Sequence, residues 1–477
     1  MGFTSFVFLL IFLPLFLLLY SVTSAKHKNL MILCGSYIFY IWGSPAAALI
    51  LLVTTLVDFL LVKLMASSIF DKQRKAIFVI ALLENIIVLA YFKYSDFFIY
   101  ELNNVISLFG LKPIVWASVL LPLGISFITF HKISYLMDVY YRKVHPAESF
   151  IDFAAYVAFF PKLIQGPIIR YHNIVDDLKS RHHHINDIFD GLFRFCVGLA
   201  KKVLIADVLG EVADKAFQAN LNILTLTTSN AWLGIFCYTF QIYFDFSGYS
   251  DMAIGIARML GFKFQENFNR PYLAKNFTEF WRRWHISLSN WFREYLYIPL
   301  GGNRVSTIRN YLNLWIVFLI CGLWHGPNWT FIVWGIYHGL FIIADKLFLM
   351  KMYRKAGKTI SFVSTFFFIM MGWVLFRSES IEFAVNYLRI LFGGDSYSNL
   401  SIPLSQMISN QGIFVLIVAA LISFIPETTA STLQKAFARL DDSQILWLKT
   451  GAIFLIICLS FSSLVNNGFT PFIYFRF

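Results

Sequence analysis

The chain has 477 residues, 58% apolar, 18% aromatic and only 14% charged. Soluble domains carry about 25% charge, so the composition excludes a soluble enzyme and points to a polytopic membrane protein. The net charge of +12 does not indicate nucleic acid. The basic residues fall between apolar runs, as in cytoplasmic loops facing anionic lipid.

Phe3 to Tyr20 is too long for a secretory signal and has no basic residue before it. It reads as a first span with the N-terminus outside. Leu30 to Trp42 and Ala47 to Met65 read as out-and-back helices joined at Gly43-Ser44-Pro45. Lys72, Arg74 and Lys75 mark a cytoplasmic loop. Ile77 to Phe92 then crosses outward and Ile114 to Phe130 returns, leaving His131, Lys132, Arg142 and Lys143 inside. There is no linker, low-complexity tract or internal repeat, so a single membrane domain over 1–477 is expected. The cysteines (Cys34, Cys196, Cys237, Cys321 and Cys458) have no metal or redox spacing and read as small core residues.

From Ile151 to Leu209 the apolar segments are short and interrupted, by Pro161 and Pro167 and then by Asp190, Arg194, Lys201, Lys202 and Asp207. Such segments suit amphipathic, re-entrant or interfacial helices. The run Arg181-His182-His183-His184 is read as a solvated loop. Adjacent histidines cannot all face one ion on a helix, and no metal is expected. Asn230 to Phe246 is an aromatic span ending in YFDFSGYSD. Asp245 and Asp251 at its end are general acid/base groups, or else helix caps and partners for nearby arginines, the preferred reading.

Asn267 to Arg304 is the densest stretch in chemistry. Trp281, Trp284, Leu288 and Trp291 recur at helical spacing, which predicts one helix with an aromatic face at the membrane interface. Arg282, Arg283 and Arg293 accompany them. Arginine forks bind phosphate, and lipid headgroups explain them almost as well as a nucleotide ligand. Arg282 and Arg283 cannot point the same way on a helix. His285 sits among them.

Tyr311 to Gly339 reads as a helical hairpin with Trp324-His325-Gly326-Pro327-Asn328 at its tip. The run before the tip would rise roughly 20 Å at about 1.5 Å per residue, most of a hydrocarbon core about 30 Å thick. An ionisable residue at that depth is expensive and usually functional. The plainer reading makes His325 an interfacial cap.

Lys346 to Lys358 forms a basic loop, expected to be cytoplasmic. Ile360 to Phe376 crosses outward, Ile413 to Ile425 returns, and Trp447 to Ser463 crosses outward again. That parity leaves NNGFTPFIYFRF outside. The segment is an aromatic anchor, or else it presents the Tyr474 phenol as a nucleophile.

Several stretches, in order, make the chain resemble the membrane-bound O-acyltransferase superfamily, specifically its bacterial alginate and peptidoglycan O-acetylation branch. They are LPLGISFITFHKISYLMDVY, FFPKLIQGPIIRY, YTFQIYFDFSGYSDMAIGIARMLGF, the arginine-tryptophan stretch, GLWHGPNWTFIVWGIYHG and GWVLFRS. They fall between about residues 121 and 378, with the segment 379–477 following as C-terminal helices and tail. The resemblance implies an all-α fold: a ring of tilted transmembrane helices around a thinned core, with cytoplasmic and outer funnels. It implies acetyl transfer from cytoplasmic acetyl-CoA, across a bacterial inner membrane, to an extracytoplasmic polysaccharide such as alginate or peptidoglycan. A separate extracytoplasmic acetyltransferase is the implied partner. His325 takes the place of the family's catalytic histidine and His285 that of a second important one. Arg282, Arg283 and Arg293 would hold the coenzyme A phosphates, and no metal is implied. FIYFRF resembles the C-terminal tyrosine motif of a small partner in teichoic acid D-alanylation, where the tyrosine is thought to carry the acyl group. The alternatives are D-alanyl transfer to teichoic acid from a carrier protein, or a transporter without chemistry. The absence of paired broken helices in related halves weighs against a transporter.

Overall fold

The computed structural model describes residues 1–181, 184–217, 226–394 and 403–473, apart from the side chains of 433, 434 and 467. Tyr474 and the pair His182–His183 lie outside these residues. Among the described residues all regular structure is helical. Six helices among the described residues are long and apolar enough to cross a membrane, or seven if the bent pair Asn410–Ser423 and Glu427–Phe437 makes one span. The chain forms two compact units, Met1–Leu192 with Ala253–Gln265, and Phe193–Met252 with Glu266–Phe477.

The first unit opens with α1 (Val7–Val22), α2 (Lys28–Gly43), α3 (Pro45–Ala66) and α4 (Arg74–Leu108). The turn at Gly43-Ser44-Pro45 is as expected, and Pro45 takes the first helical position, where its missing N–H costs nothing. The α4 helix runs well beyond Phe92. The expected span from Ile114 to Phe130 does not form. Residues 111–122 are non-helical, and α5 is Ile125–Tyr140. Side chains on α4 take up the backbone groups of that segment instead. Asn103 bonds both the N–H and the carbonyl of Ile114 at 2.7 and 3.1 Å, and Asp96 accepts from Trp116 Nε1 at 2.8 Å and Val119 N–H at 3.2 Å. His131 and Lys132, expected in a loop, are buried on α5. Lys132 Nζ lies 2.7 Å from Asp58 Oδ2 of α3, whose other oxygen accepts from Asn85 of α4 at 2.7 Å. A buried cation needs such a partner. The short segments foreseen after Ile151 are present, among them α6 (Phe150–Ala158) and α7 (Ile185–Ala200).

In the second unit α8 is Asp207–Phe217 and α9 is Thr228–Met259. The α9 helix continues past the expected end at Phe246, so Asp245 and Asp251 lie inside it. Both are buried among cations. Asp251 accepts from Arg194 Nη2 and Lys201 at 2.6 Å each, and Asp245 from Lys202 at 2.7 Å. They are ion-pair partners, mostly of lysines, and not caps.

The helix predicted through Trp291 is broken into α10 (Phe277–Arg283) and α11 (Ile286–Phe292). Trp284 is extended and His285 adopts left-handed φ 44°, ψ 54°, a strained conformation for a side-chain-bearing residue. Residues 267–269 supply the backbone partners lost at the break: Ile286 N–H donates to Asn267 O and Asn269 N–H to Arg283 O, each at 2.9 Å. Trp281, Trp284 and Trp291 are buried and line no interfacial face.

The hairpin forms as expected, from α12 (Thr307–His325) and α13 (Trp329–Ala344), with Asn328 capping α13 through Thr330 N–H. Its arms touch through backbone. A Cβ on Gly322 would lie 2.3 Å from Phe331 O, and one on Gly335 would lie 2.4 Å from Phe318 O. Only glycine allows that approach. The longer helices that follow are α14 (Lys358–Arg377), α15 (Ile381–Leu391), α16 (Asn410–Ser423), α17 (Glu427–Phe437) and α18 (Asp442–Asn467).

Candidate active site

His325 is the last residue of α12 and is buried. Aromatic rings pack around its imidazole, among them Trp324 and Trp334 with centroids at 4.9 Å, Phe376 at 5.1 Å and Phe331 at 6.4 Å. Trp324 also lies 6.3 Å from His285, so one indole neighbours both of the histidines that the sequence singled out.

The His285 ring is fully buried, with Phe246 edge-on at 4.6 Å. Its Nδ1 lies 3.1 Å from Asn267 Oδ1. The same oxygen accepts from Ser287 N–H at 3.2 Å and from Ser287 Oγ at 2.9 Å, while Asn267 Nδ2 donates to Ser250 Oγ at 3.1 Å. A backbone N–H can only donate, so the Asn267 atom facing it must be oxygen. His285 Nδ1 must then carry a proton, and in the neutral ring Nε2 carries the lone pair. The amide thus sets a base-competent tautomer. Asn267 heads the arginine-tryptophan stretch but was not singled out there, because its pairing with His285 exists only in three dimensions.

Arg282 and Arg293 line one cavity of about 550 Å³. Thr278, Ser289 and Asn290 add polar walls, Trp281 and Phe318 aromatic ones, and no carboxylate is among its lining residues. Cys321 of α12 also lines it, one helical turn before His325. Arg283 turns away, as its position beside Arg282 on a helix requires. It is held by Glu279 and Glu427 at 2.8 Å each and lines a different groove.

His338 belongs to the quoted WGIYHG motif but had been given no role. It accepts from Trp281 Nε1 at 3.3 Å through Nδ1 and packs 4.6 Å from Trp334, continuing the aromatic wall behind His325.

Residues 471–473 are also built into this unit. Phe472 and Ile473 are buried. Lys202 Nζ donates to Pro471 O at 3.2 Å and sits 4.7 Å over the Phe472 ring, and Ile473 N–H donates to Asp245 Oδ2 at 3.0 Å. Lys202 is also paired with Asp207 at 2.7 Å, whose carboxyl burial pushes up to about 7.

The family model for membrane-bound O-acyltransferases matches residues 36–384. This chain belongs to the membrane-bound O-acyltransferase family. It is 39% identical to a probable alginate O-acetylase of Azotobacter vinelandii, covering 100% of both chains. It is 43% identical to a probable alginate O-acetylase of Pseudomonas aeruginosa, over 82% of this chain and 75% of the relative. It is 32% identical to a peptidoglycan O-acetyltransferase of Helicobacter pylori, over 99% and 96%. As an MBOAT-family member it is an O-acyltransferase and a multi-pass protein of a bacterial inner membrane. His325, His285 and Asn267 all fall inside the matched range.

Proposed function

We propose that the chain, acting as one domain over residues 1–477, takes acetyl groups from cytoplasmic acetyl-CoA and delivers them across the membrane for O-acetylation of an extracytoplasmic polysaccharide of the alginate or peptidoglycan kind. The observation that carries this reading is the cationic cavity of Arg282 and Arg293, whose wall at Cys321 lies one turn from His325. Two guanidinium groups with no lining carboxylate suit the phosphates of coenzyme A, and about 550 Å³ is ordinary for a small-molecule site.

In the proposed reaction His325 takes the proton of an acceptor hydroxyl as its oxygen attacks the thioester carbonyl. The carbon–sulfur bond then breaks, and the proton passes to the departing coenzyme A sulfur. His285, held by Asn267, presents its Nε2 lone pair as a second acceptor for that single hydroxyl proton. The acceptor is taken to be Tyr474, next in sequence to the anchored Ile473, which would hand the acetyl group to an extracytoplasmic acetyltransferase.

The purified chain is expected to release coenzyme A slowly from acetyl-CoA in a thiol assay, which a transporter without chemistry would not do. In the double variant Arg282→Ala/Arg293→Ala the KM for acetyl-CoA should rise roughly 10²- to 10⁴-fold, at about 1.5–3 kcal/mol for each of the two charged contacts, with a smaller change in kcat. Arg283→Ala should leave KM near the wild-type value. Unchanged coenzyme A binding by calorimetry in the double variant would make these arginines structural.

The tautomer argument gives a separate expectation. Asn267→Leu should lower turnover on the order of 10²-fold without altering coenzyme A affinity. Asn267→Asp keeps an acceptor at Nδ1 and adds a negative charge, which favours the imidazolium. It should therefore retain activity and move the acid limb of the pH–rate profile upward. An Asn267→Asp profile identical to wild type would mean that His285 does not titrate in the rate-limiting step.

A further inference from the structure

A second groove in the same unit, of about 840 Å³, lies outside the cavity assigned to the acyl donor. Three cations line it (Lys275, Arg283 and Lys358) against a single carboxylate, Glu427. That carboxylate is already engaged with Arg283. Glu279, outside the lining, also engages Arg283, so the exposed Lys275 and Lys358 leave the groove with one net positive charge. Apart from Thr428 its remaining wall is apolar, chiefly Leu273, Phe362, Val363, Phe366 and Phe424.

The order of these residues along α14 shows how the groove is oriented. Lys358 begins the helix, and Phe362 and Phe366 follow at four-residue spacing on the same face. The charge therefore sits at the end of a candidate membrane span, beside the basic stretch from Lys346, and the rings lie roughly 6 and 12 Å further along it. Phe424 closes the apolar side, its ring 5.6 Å from Phe362 and 5.2 Å from Phe366. Pro426 follows it, and there α16 and α17 diverge by 80°, leaving a wedge that no described side chain fills.

We propose that this wedge holds one anionic phospholipid, its phosphate against Lys275, Arg283 and Lys358 and one acyl chain along Phe362, Phe366 and Phe424. Cations at a span's end and an apolar slot running inward match the two parts of such a molecule. Coenzyme A has phosphates, but its pantetheine arm carries amides that the apolar slot would leave unpaired. A zwitterionic lipid would fill the slot but gain little from the excess charge.

The test uses the full chain, delipidated in detergent and titrated with dioleoyl-phosphatidylglycerol or dioleoyl-phosphatidylcholine under native mass spectrometry. Wild type should bind one phosphatidylglycerol about tenfold more tightly than phosphatidylcholine. Lys275→Gln/Lys358→Gln, at two exposed positions, should remove that preference, a loss of about tenfold or more for two surface cations. The same variant should keep wild-type acetyl-CoA affinity. Val363→Trp, filling the slot from an exposed position, should weaken both lipids. Equal affinity of wild type for the two lipids would overturn the proposal. So would a lysine variant that keeps its lipid preference, or one that loses coenzyme A binding instead and thereby assigns the groove to the donor.

Discussion

His325→Ala is expected to abolish polymer acetylation, with turnover falling by about 10²- to 10⁴-fold, the range that a positioned general base supplies. The chain should still reach the membrane at normal levels. His325 ends its helix, and the hairpin is held by the backbone contacts at Gly322 and Gly335 and by the Asn328 cap, none of which involves the imidazole. The substitution does leave a void among Trp324, Trp334 and Phe376. His325→Gln, closer in volume, should therefore be made beside it. Both variants should bind coenzyme A with unchanged affinity, because Arg282 and Arg293, proposed to hold its phosphates, line a separate cavity. Acetylation in cells, membrane abundance by immunoblot and coenzyme A binding by calorimetry read the three parts separately. Full acetylation by either variant would reduce His325 to a packing residue. His285→Ala should have an equal or weaker effect.

Tyr474→Phe is expected to remove polymer acetylation just as completely, although it deletes a single oxygen. Tyr474 lies outside the described residues, but the chain is held as far as Ile473 by Asp245 and at Pro471 by Lys202. Such a buried clamp is costly to form unless its charges are paired, and here Lys202 pairs with both Asp207 and Asp245, while burial pushes the Asp207 carboxyl up to about 7. An aromatic anchor needs only the rings, and Tyr474→Phe keeps the ring, so an anchor role gives near-normal activity. A nucleophilic role gives none. Mass spectrometry of the C-terminal peptide after incubation with acetyl-CoA should find acetyl-tyrosine in wild type. An active Tyr474→Phe enzyme with no acetyl-tyrosine in wild type would leave only the anchor.

The sequence alone determined the membrane class, most helices and the hairpin carrying His325. These rest on local signals: long apolar runs, a Gly-Pro turn and basic loops. The resemblance to the membrane-bound O-acyltransferases was legible for a related reason, since its motifs are contiguous. Tertiary structure decided the rest. Whether Ile114 to Pro122 was helix depended on Asn103 and Asp96 of another segment taking its backbone hydrogen bonds. Whether α9 ended at Asp245 depended on Lys202 and Lys201 arriving to neutralise its acids. The tryptophan-rich helix broke at His285 because Asn267 and Asn269 supplied partners for the freed backbone, and that break turned His285 toward Asn267. The division of Arg282 from Arg283 followed from helical geometry, but their separate destinations required the cavity on one side and Glu427 on the other. In each case the deciding partner is distant in sequence. Hydrophobic period and local propensity register only neighbours, so a hydrogen bond or charge supplied from far along the chain leaves no trace in them.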